Sequence, residues 1–396
     1  MEQQRLWTRD FVLAFLVNLT MSLTFYLLMT SMAGYAIERF GAADSVAGLA
    51  SSGFIIGALI ARVFAGKYLD FIGRRRMILG ALVVFVACAA LYVPLTGVWA
   101  VIAVRVAHGI AFGAGNTAVM AAVQTIIAPA RRAEGTGYFG TSTTLATAVG
   151  PFLAVVLAQQ LGYAAMFLAC AVFSVAGLVM ALGLRLPERT PTEEERADRW
   201  RLTLTSIMDL GALRIASVML LTGMAYSIVL AFLATHTAQL GAPDAASAFF
   251  ILFAIVMLAA RLLVGRIQDR HGDDVVMYPI FALFTLGLVL IALADSGWMI
   301  VVAAVPMGLG FGSLFPSAQA IAVTVTAPHR VGLAISTFFI MLDLGTGLGP
   351  VVLGTLVPRL GLSGVYLICA GLVVLAAGVY YLFHGRSRGG RPGTRG

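Results

Sequence analysis

Charge is what this sequence has least of. Lys, Arg, Asp and Glu together make up 11% of its 396 residues, against roughly a quarter in an average soluble domain. That is too little to cover the surface of a soluble globular protein of this length, so a cytosolic globular enzyme is excluded. With 60% hydrophobic residues the chain is not disordered either. Cysteine is nearly absent: Cys88, Cys170 and Cys369 each sit inside an apolar run, which excludes a disulfide scaffold. There are no ten-residue alternating segments of the kind that build an outer-membrane barrel. His-Glu-x-x-His, Gly-x-x-x-x-Gly-Lys-Ser/Thr and Gly-x-Ser-x-Gly are also missing, so no enzyme, metal or nucleotide site is expected.

What remains is an integral membrane protein. At about 20 apolar residues per crossing, the sequence divides into twelve predicted spans: 10–36, 45–65, 76–96, 99–127, 134–159, 163–185, 209–237, 245–265, 275–294, 297–325, 331–357 and 361–384. All but three of the 26 basic residues (Arg39, Arg105 and Arg359) fall on one side of that arrangement. The positive-inside rule makes this side cytoplasmic and predicts both termini there, in a bacterial-type inner membrane. The net charge of +8 is then topology plus the Arg/Gly-rich tail 385–396, and no nucleic-acid partner is expected. Arg5 and Arg9 precede an apolar run too long for a signal peptide, and no small-residue cleavage site closes it.

The chain also repeats itself. Gly66-Lys-Tyr-Leu-Asp70-Phe-Ile-Gly73 recurs as Gly265-Arg-Ile-Gln-Asp269-Arg-His-Gly272. The same register relates Arg62 to Arg261, Gly109 to Gly308, Pro129 to Pro328, Gly150-Pro151 to Gly349-Pro350 and Gly162 to Gly361; shifted by one residue, it relates Tyr26 to Tyr226 and Gly41 to Gly241. A register held this long marks a duplication. The expected architecture is all-α: residues 1–186 and 206–384 as two pseudo-symmetric six-helix bundles, a charged cytoplasmic linker 187–205, and the basic tail. Parallel repeats of this kind suit a carrier with its site between the halves.

With Gly-x-x-x-Asp-x-x-Gly-Arg-Arg-Arg between its second and third spans, the chain resembles the major facilitator superfamily over essentially its whole length. Arg105-x-x-x-Gly109 is similar to a second family motif. Gly137, Gly150 and Pro151 are similar to the motif of proton-driven exporters, with Ala146 and Ala154 at glycine positions and Val155 where a further glycine is usual. The resemblance implies a secondary active transporter, a self-sufficient monomer working by alternating access on a small-molecule substrate in membrane lipid. It further implies that Asp70 contacts the start of the eleventh span near Arg330 and latches the outward-facing state. Gly66 and Gly73 allow the tight turns there, and Arg74 is within reach of Asp70. Asp269 and Gly272 form the second copy, expected to be weaker because Asp273-Asp274 replace the arginines.

Two charges lie deep within spans, Arg105 and Asp343. Burying each costs on the order of 2.5–3.5 kcal/mol, which makes each a functional candidate. Asp343, near the middle of the eleventh span, is expected to couple protons; the alternative is a structural carboxylate. Arg105, His108, Phe112 and Asn116 share one helical face, whose counterpart in the second half includes Phe311 and Phe315. A polar stripe facing an aromatic one suits an amphipathic solute. Equally, Arg105 can satisfy backbone carbonyls and His108 can bond a neighbouring helix. Asn18, Ser22 and Tyr26 on the first span, Tyr226 and His236 on the seventh and Gln319 on the tenth complete the expected cavity, with interhelical glue as the alternative for each. No cofactor is expected; an ion gradient, of protons by preference, drives the carrier. Proton-coupled export of drug-like solutes leads, a metabolite symporter follows, and a non-transporting receptor comes third.

Overall fold

The computed structural model describes residues 6–42, 44–197, 200 and 203–385. Arg5 and the basic tail from Arg386 on lie outside the described residues. Thirteen helices run α1 (Arg9–Phe40), α2 (Asp44–Ile72), α3 (Arg74–Leu91), α4 (Val98–Ile126), α5 (Arg132–Leu182), α6 (Glu193–Ala197), α7 (Leu204–Ile207), α8 (Leu210–Gln239), α9 (Asp244–His271), α10 (Asp273–Ala292), α11 (Gly297–Thr324), α12 (Val331–Gly354) and α13 (Val357–Tyr380), with no strand among the described residues. Local chemistry sets the ends. Thr8 Oγ1 accepts from the Phe11 N–H (3.2 Å) to start α1, and Gly41 closes it at φ 61°.

Every positive-φ residue among those described is a glycine, and the six form three pairs in the register of the repeat: Gly41 with Gly241, Gly73 with Gly272, Gly162 with Gly361. Only glycine adopts that conformation without strain, so the turns of the duplication are written in its glycines. Gly162 breaks α5 (φ 80°, ψ 167°) between the predicted spans 134–159 and 163–185. Single 3₁₀ turns, Pro129–Arg131 and Pro328–Arg330, repeat in the same register.

Eleven stretches among the described residues are long and apolar enough to cross a membrane. The predicted span 76–96 is not one of them. Its helix, α3, opens on Arg74, Arg75 and Arg76 and ends at Leu91, so its apolar part runs only from Met77. Large apolar side chains such as Phe152, Leu168 and Ile251 stand exposed, as a lipid-facing surface requires. Trp99 and Trp298, 65% and 68% exposed, occupy equivalent places at the starts of α4 and α11, where indoles mark a membrane–water boundary.

The residues divide into two compact units. The first holds those up to Pro129, Phe139–Asp209 and Pro328–Thr337; the second holds Ala130–Tyr138, Leu210–Ala327 and those from Phe338 on. In the first unit α4 packs on α2 backbone to backbone. A Cβ on Gly109 would fall into the carbonyl of Phe54, and one on Gly113 into that of Ala58. In the second unit Gly308 and Gly312 of α11 make room instead for the side chains of Val256 and Met257 of α9. Small residues replace a hydrophobic driving force as the means of close helix association in lipid. Gly109→Ala is therefore expected to lower the thermal unfolding midpoint in detergent by the equivalent of about 1–3 kcal/mol of overpacking; an unchanged midpoint would refute this packing.

Candidate functional site

In the first unit the polar side chains of the spans are turned toward one another. Asn18 Nδ2 donates to Ser142 Oγ (2.7 Å) and Thr143 Oγ1 (3.0 Å), and Asn116 Nδ2 donates to Asn18 Oδ1 (2.9 Å). This buried knot joins α1, α4 and α5. Asn18→Ala removes all three bonds and is expected to cost about 1–2 kcal/mol, measured as a lower unfolding midpoint.

Of the two readings of Arg105, cavity lining or satisfaction of backbone carbonyls, the geometry matches the second: it is wholly buried against α2, where Nε donates to the Ala50 carbonyl (2.9 Å) and Nη2 to that of Ser51 (2.8 Å). Its guanidinium also lies 4.8 Å from the centre of the Phe54 ring. Delocalised charge, planar donors and an aromatic face let arginine occupy such a place where lysine would not. His108 is buried as well, with Nδ1 hydrogen-bonded to the Tyr92 hydroxyl (3.1 Å) and its ring against Phe85 (4.1 Å) and Phe54 (5.4 Å). Phe112 stacks on Phe25 (5.4 Å, 22°). The stripe from Arg105 to Asn116 thus faces the helices of its own unit rather than open space. On α1, Ser22 is buried, while Phe25 and Tyr26 are half-exposed. Gly150 of α5 packs against the Tyr26 Cβ, next to Pro151.

The second unit is built on aromatics. Tyr226 of α8 stacks on Phe311 of α11 (3.8 Å, 15°) and on Phe253 of α9 (5.8 Å, 22°). Phe315 meets Phe338 of α12 edge-on and Phe339 at a tilt, and Gln319 is buried one turn beyond. His236 departs from the expected cavity. It is buried, its Nε2–H donates to the Ile291 carbonyl of α10 (3.1 Å), and its ring lies beside Tyr366. Along α12, Leu342, Gly345 and Gly349 are seated on Gly223, Leu220, Met224 and Ser227 of α8, with Pro350 following. Asp343 lies one residue round from that seam and Tyr226 flanks it on α8, both half-buried. Asp343 is the only charged residue of α12.

The repeated loop motif closes the helix ends differently in its two copies. Gly66 and Gly265 both allow a close approach: Gly66 to Gly332 and Ser336, Gly265 to Ala133 and Glu134. Gly137 continues the second contact, packing on the Arg261 carbonyl. Gly73 and Gly272 take φ of 92° and 94°. Asp70 pairs with Arg74 (3.4 Å) and with Arg189 (3.5 Å). Asp269 accepts two main-chain N–H groups at the start of α5, from Ala133 (3.0 Å) and Glu134 (2.8 Å). The second copy, expected to be the weaker, is the more fully bonded. The reason lies in α5: its first turn presents unsatisfied N–H donors and the positive end of its dipole to the carboxylate.

Several charged residues at these ends were not foreseen. Glu134 is buried between Arg131 (2.7 Å) and Arg266 (2.6 Å). Arg330 pairs with Asp209 (3.0 Å). Arg62 and Arg261 are buried within α2 and α9, and their equivalence in the repeat was the available signal. The linker is not simply solvated. Glu188 accepts the Arg74 and Arg75 N–H groups (2.8 and 2.9 Å) and caps α3.

Duplicated turns, glycine-seamed helix pairs and a repeated acid–glycine loop at the helix ends define a multi-span membrane carrier. The family profile described as Major Facilitator Superfamily matches residues 14–241 and 215–396, and the chain belongs to that superfamily of transporters. Among its relatives, an uncharacterized MFS-type transporter of Burkholderia mallei (strain SAVP1) is 26% identical over 90% of this chain and 87% of its own length. The uncharacterized MFS-type transporter YhhS of Shigella flexneri is also 26% identical, over 91% and 88%. The fold is similar to that of the human organic anion transporter MFSD10 (TM-score 0.76, 19% identity, 94% and 98% covered). It is likewise similar to the proton:xylose symporter XylE (0.76, 14%, 95% and 95%) and to FucP in its outward conformation (0.77, 14%, 97% and 99%).

Proposed function

We propose that this transporter is a secondary active carrier that alternates access and exchanges protons for small organic, amphipathic solutes, which it exports. The observation that carries this reading is Asp343, a half-buried carboxylate in an otherwise uncharged membrane helix. Such a group is retained at a cost of a few kcal/mol only where it is used. The solute class follows from its surroundings in the second unit. The stacked pair Tyr226 and Phe311 is half-buried, and an amphipathic molecule can lie against its open edge while a polar end meets the carboxylate. The transport fold with no nucleotide loop in the sequence supports an ion gradient as the driving force.

In this reading α3 is the twelfth crossing, its arginines held at the headgroup level. Both termini are cytoplasmic, the membrane is a bacterial inner membrane, and the monomer is the working unit. Asp70 and Asp269 fasten helix ends in one conformation and release them in the other. Substrate-loaded proteoliposomes under an imposed pH gradient test the direction. Efflux against inward proton flow is expected; uptake driven by inward proton flow would replace export by symport. Absence of flux under every gradient would leave only a receptor.

A further inference from the structure

Three arginines line one pocket at an end of the first unit. Arg9 opens α1, Arg75 lies in the first turn of α3, and Arg185 follows the end of α5. Together with the segment Leu182–Leu186 they line a cavity of about 340 Å³. Arg75 is fixed there, with Nε donating to the Leu184 carbonyl (3.2 Å) and Nη2 to that of Leu182 (3.0 Å). Arg9 reaches in over Gly183, where a Cβ would stand 3.4 Å from its Nη2, so the absent side chain leaves room for the guanidinium.

Two acids among the described residues lie alongside. Asp10 accepts the Arg185 N–H (3.0 Å), and Glu188 accepts those of Arg74 and Arg75. Among the described residues no carboxylate forms an ion pair with Arg9, Arg75 or Arg185. The two carboxylates offset only part of the positive charge of the three arginines, and the excess favours an anion in the pocket.

The surface beside the cavity says which anion. It turns apolar at once: Leu182 is 54% exposed and Val179, one turn back on α5, is 61% exposed. Trp7, exposed next to Arg9, stands where an indole meets a membrane boundary. A soluble phosphate has no use for that apolar flank, whereas a headgroup phosphate with acyl chains beneath it matches both parts. Basic pockets between membrane helices bind acidic headgroups on this principle.

We propose that Arg9, Arg75 and Arg185 form a binding site for the phosphate of an anionic phospholipid, whose chains lie along Leu182 and Val179. The site is independent of the direction of transport. Delipidated full-length protein in detergent is titrated with phosphatidylglycerol, phosphatidylcholine or inorganic phosphate. Bound lipid is counted by native mass spectrometry, and stability is followed by thermal unfolding. Phosphatidylglycerol is expected to be retained and to raise the unfolding midpoint, and phosphatidylcholine to do neither. Arg9→Gln and Arg185→Gln are each expected to weaken phosphatidylglycerol about fivefold, while Arg76→Gln, outside the pocket, leaves it unchanged. The Arg9 and Arg185 side chains make no hydrogen bond among the described residues, so both variants keep the fold. Equal retention of the two lipids, or full phosphatidylglycerol binding by Arg9→Gln and Arg185→Gln, overturns the proposal. Inorganic phosphate protecting as well as phosphatidylglycerol, and losing that effect in the same variants, overturns the lipid assignment in favour of a soluble phosphate.

Discussion

Asp343→Asn will lower flux driven by a pH gradient about 5- to 150-fold, the range spanned by coupling free energies of 1–3 kcal/mol. The amide has the shape of the carboxyl group and keeps its hydrogen-bonding capacity, so α12 retains its seat on α8 through Leu342, Gly345 and Gly349. In the proposed mechanism, what is lost is a proton that can be taken up on one side and released on the other. Binding of substrate without a gradient, followed by tryptophan fluorescence or equilibrium dialysis, is expected to persist. Asp343→Glu, which restores the titrating group on a longer stem, is expected to recover part of the driven flux. Full gradient-driven flux in Asp343→Asn would remove this residue from the coupling mechanism.

Asp269→Ala will destabilise the second unit by about 3 kcal/mol. Two hydrogen bonds to a charged acceptor are each worth about 1.5–3 kcal/mol, and partial exposure of the carboxylate reduces the sum. The bonds lost are those from the Ala133 and Glu134 N–H groups, which no other acceptor in the first turn of α5 replaces. Asp269→Asn keeps one acceptor oxygen and is expected to lose about half as much. Thermal unfolding in detergent reads both values, and an Ala variant as stable as the wild type would show that the cap is solvated in solution. Asp70→Ala should fall short of the same effect. Its carboxylate engages two guanidiniums at 3.4 and 3.5 Å rather than two main-chain donors at shorter range.

How far the sequence discloses such contacts depends on what makes them. The duplication is legible because tight turns demand glycine at positive φ, and Gly41, Gly73 and Gly162 reappear at Gly241, Gly272 and Gly361. Helices, breaks and most spans follow from apolar runs and those turns; α3 differs because its three arginines shorten its apolar part. For Arg105 and His236 the sequence left cavity lining and interhelical bonding equally open, and could not name the acceptors, since these are main-chain carbonyls of Ala50, Ser51 and Ile291, which carry no residue signature. The bonding of Asp269 was hidden for the same reason. Its neighbours Asp273 and Asp274 are visible in the sequence, but its partners are the N–H groups of a turn more than a hundred residues away. The membership of the chain in its superfamily was readable from the loop motif, whereas Glu134 between Arg131 and Arg266 needed the fold to assemble it.

The capping of α3 by Glu188 has a practical consequence for producing the protein as two polypeptides. A break placed before Glu188 would separate the third helix from the carboxylate that receives its first N–H groups, and would also strip Arg189 from Asp70. A break between Ala197 and Thr203 leaves both residues on the N-terminal fragment, and leaves Asp209, the partner of Arg330, on the C-terminal one. Complementation by split chains should therefore succeed at the second position and fail at the first, although both cuts fall on the same connector, which looks uniformly expendable.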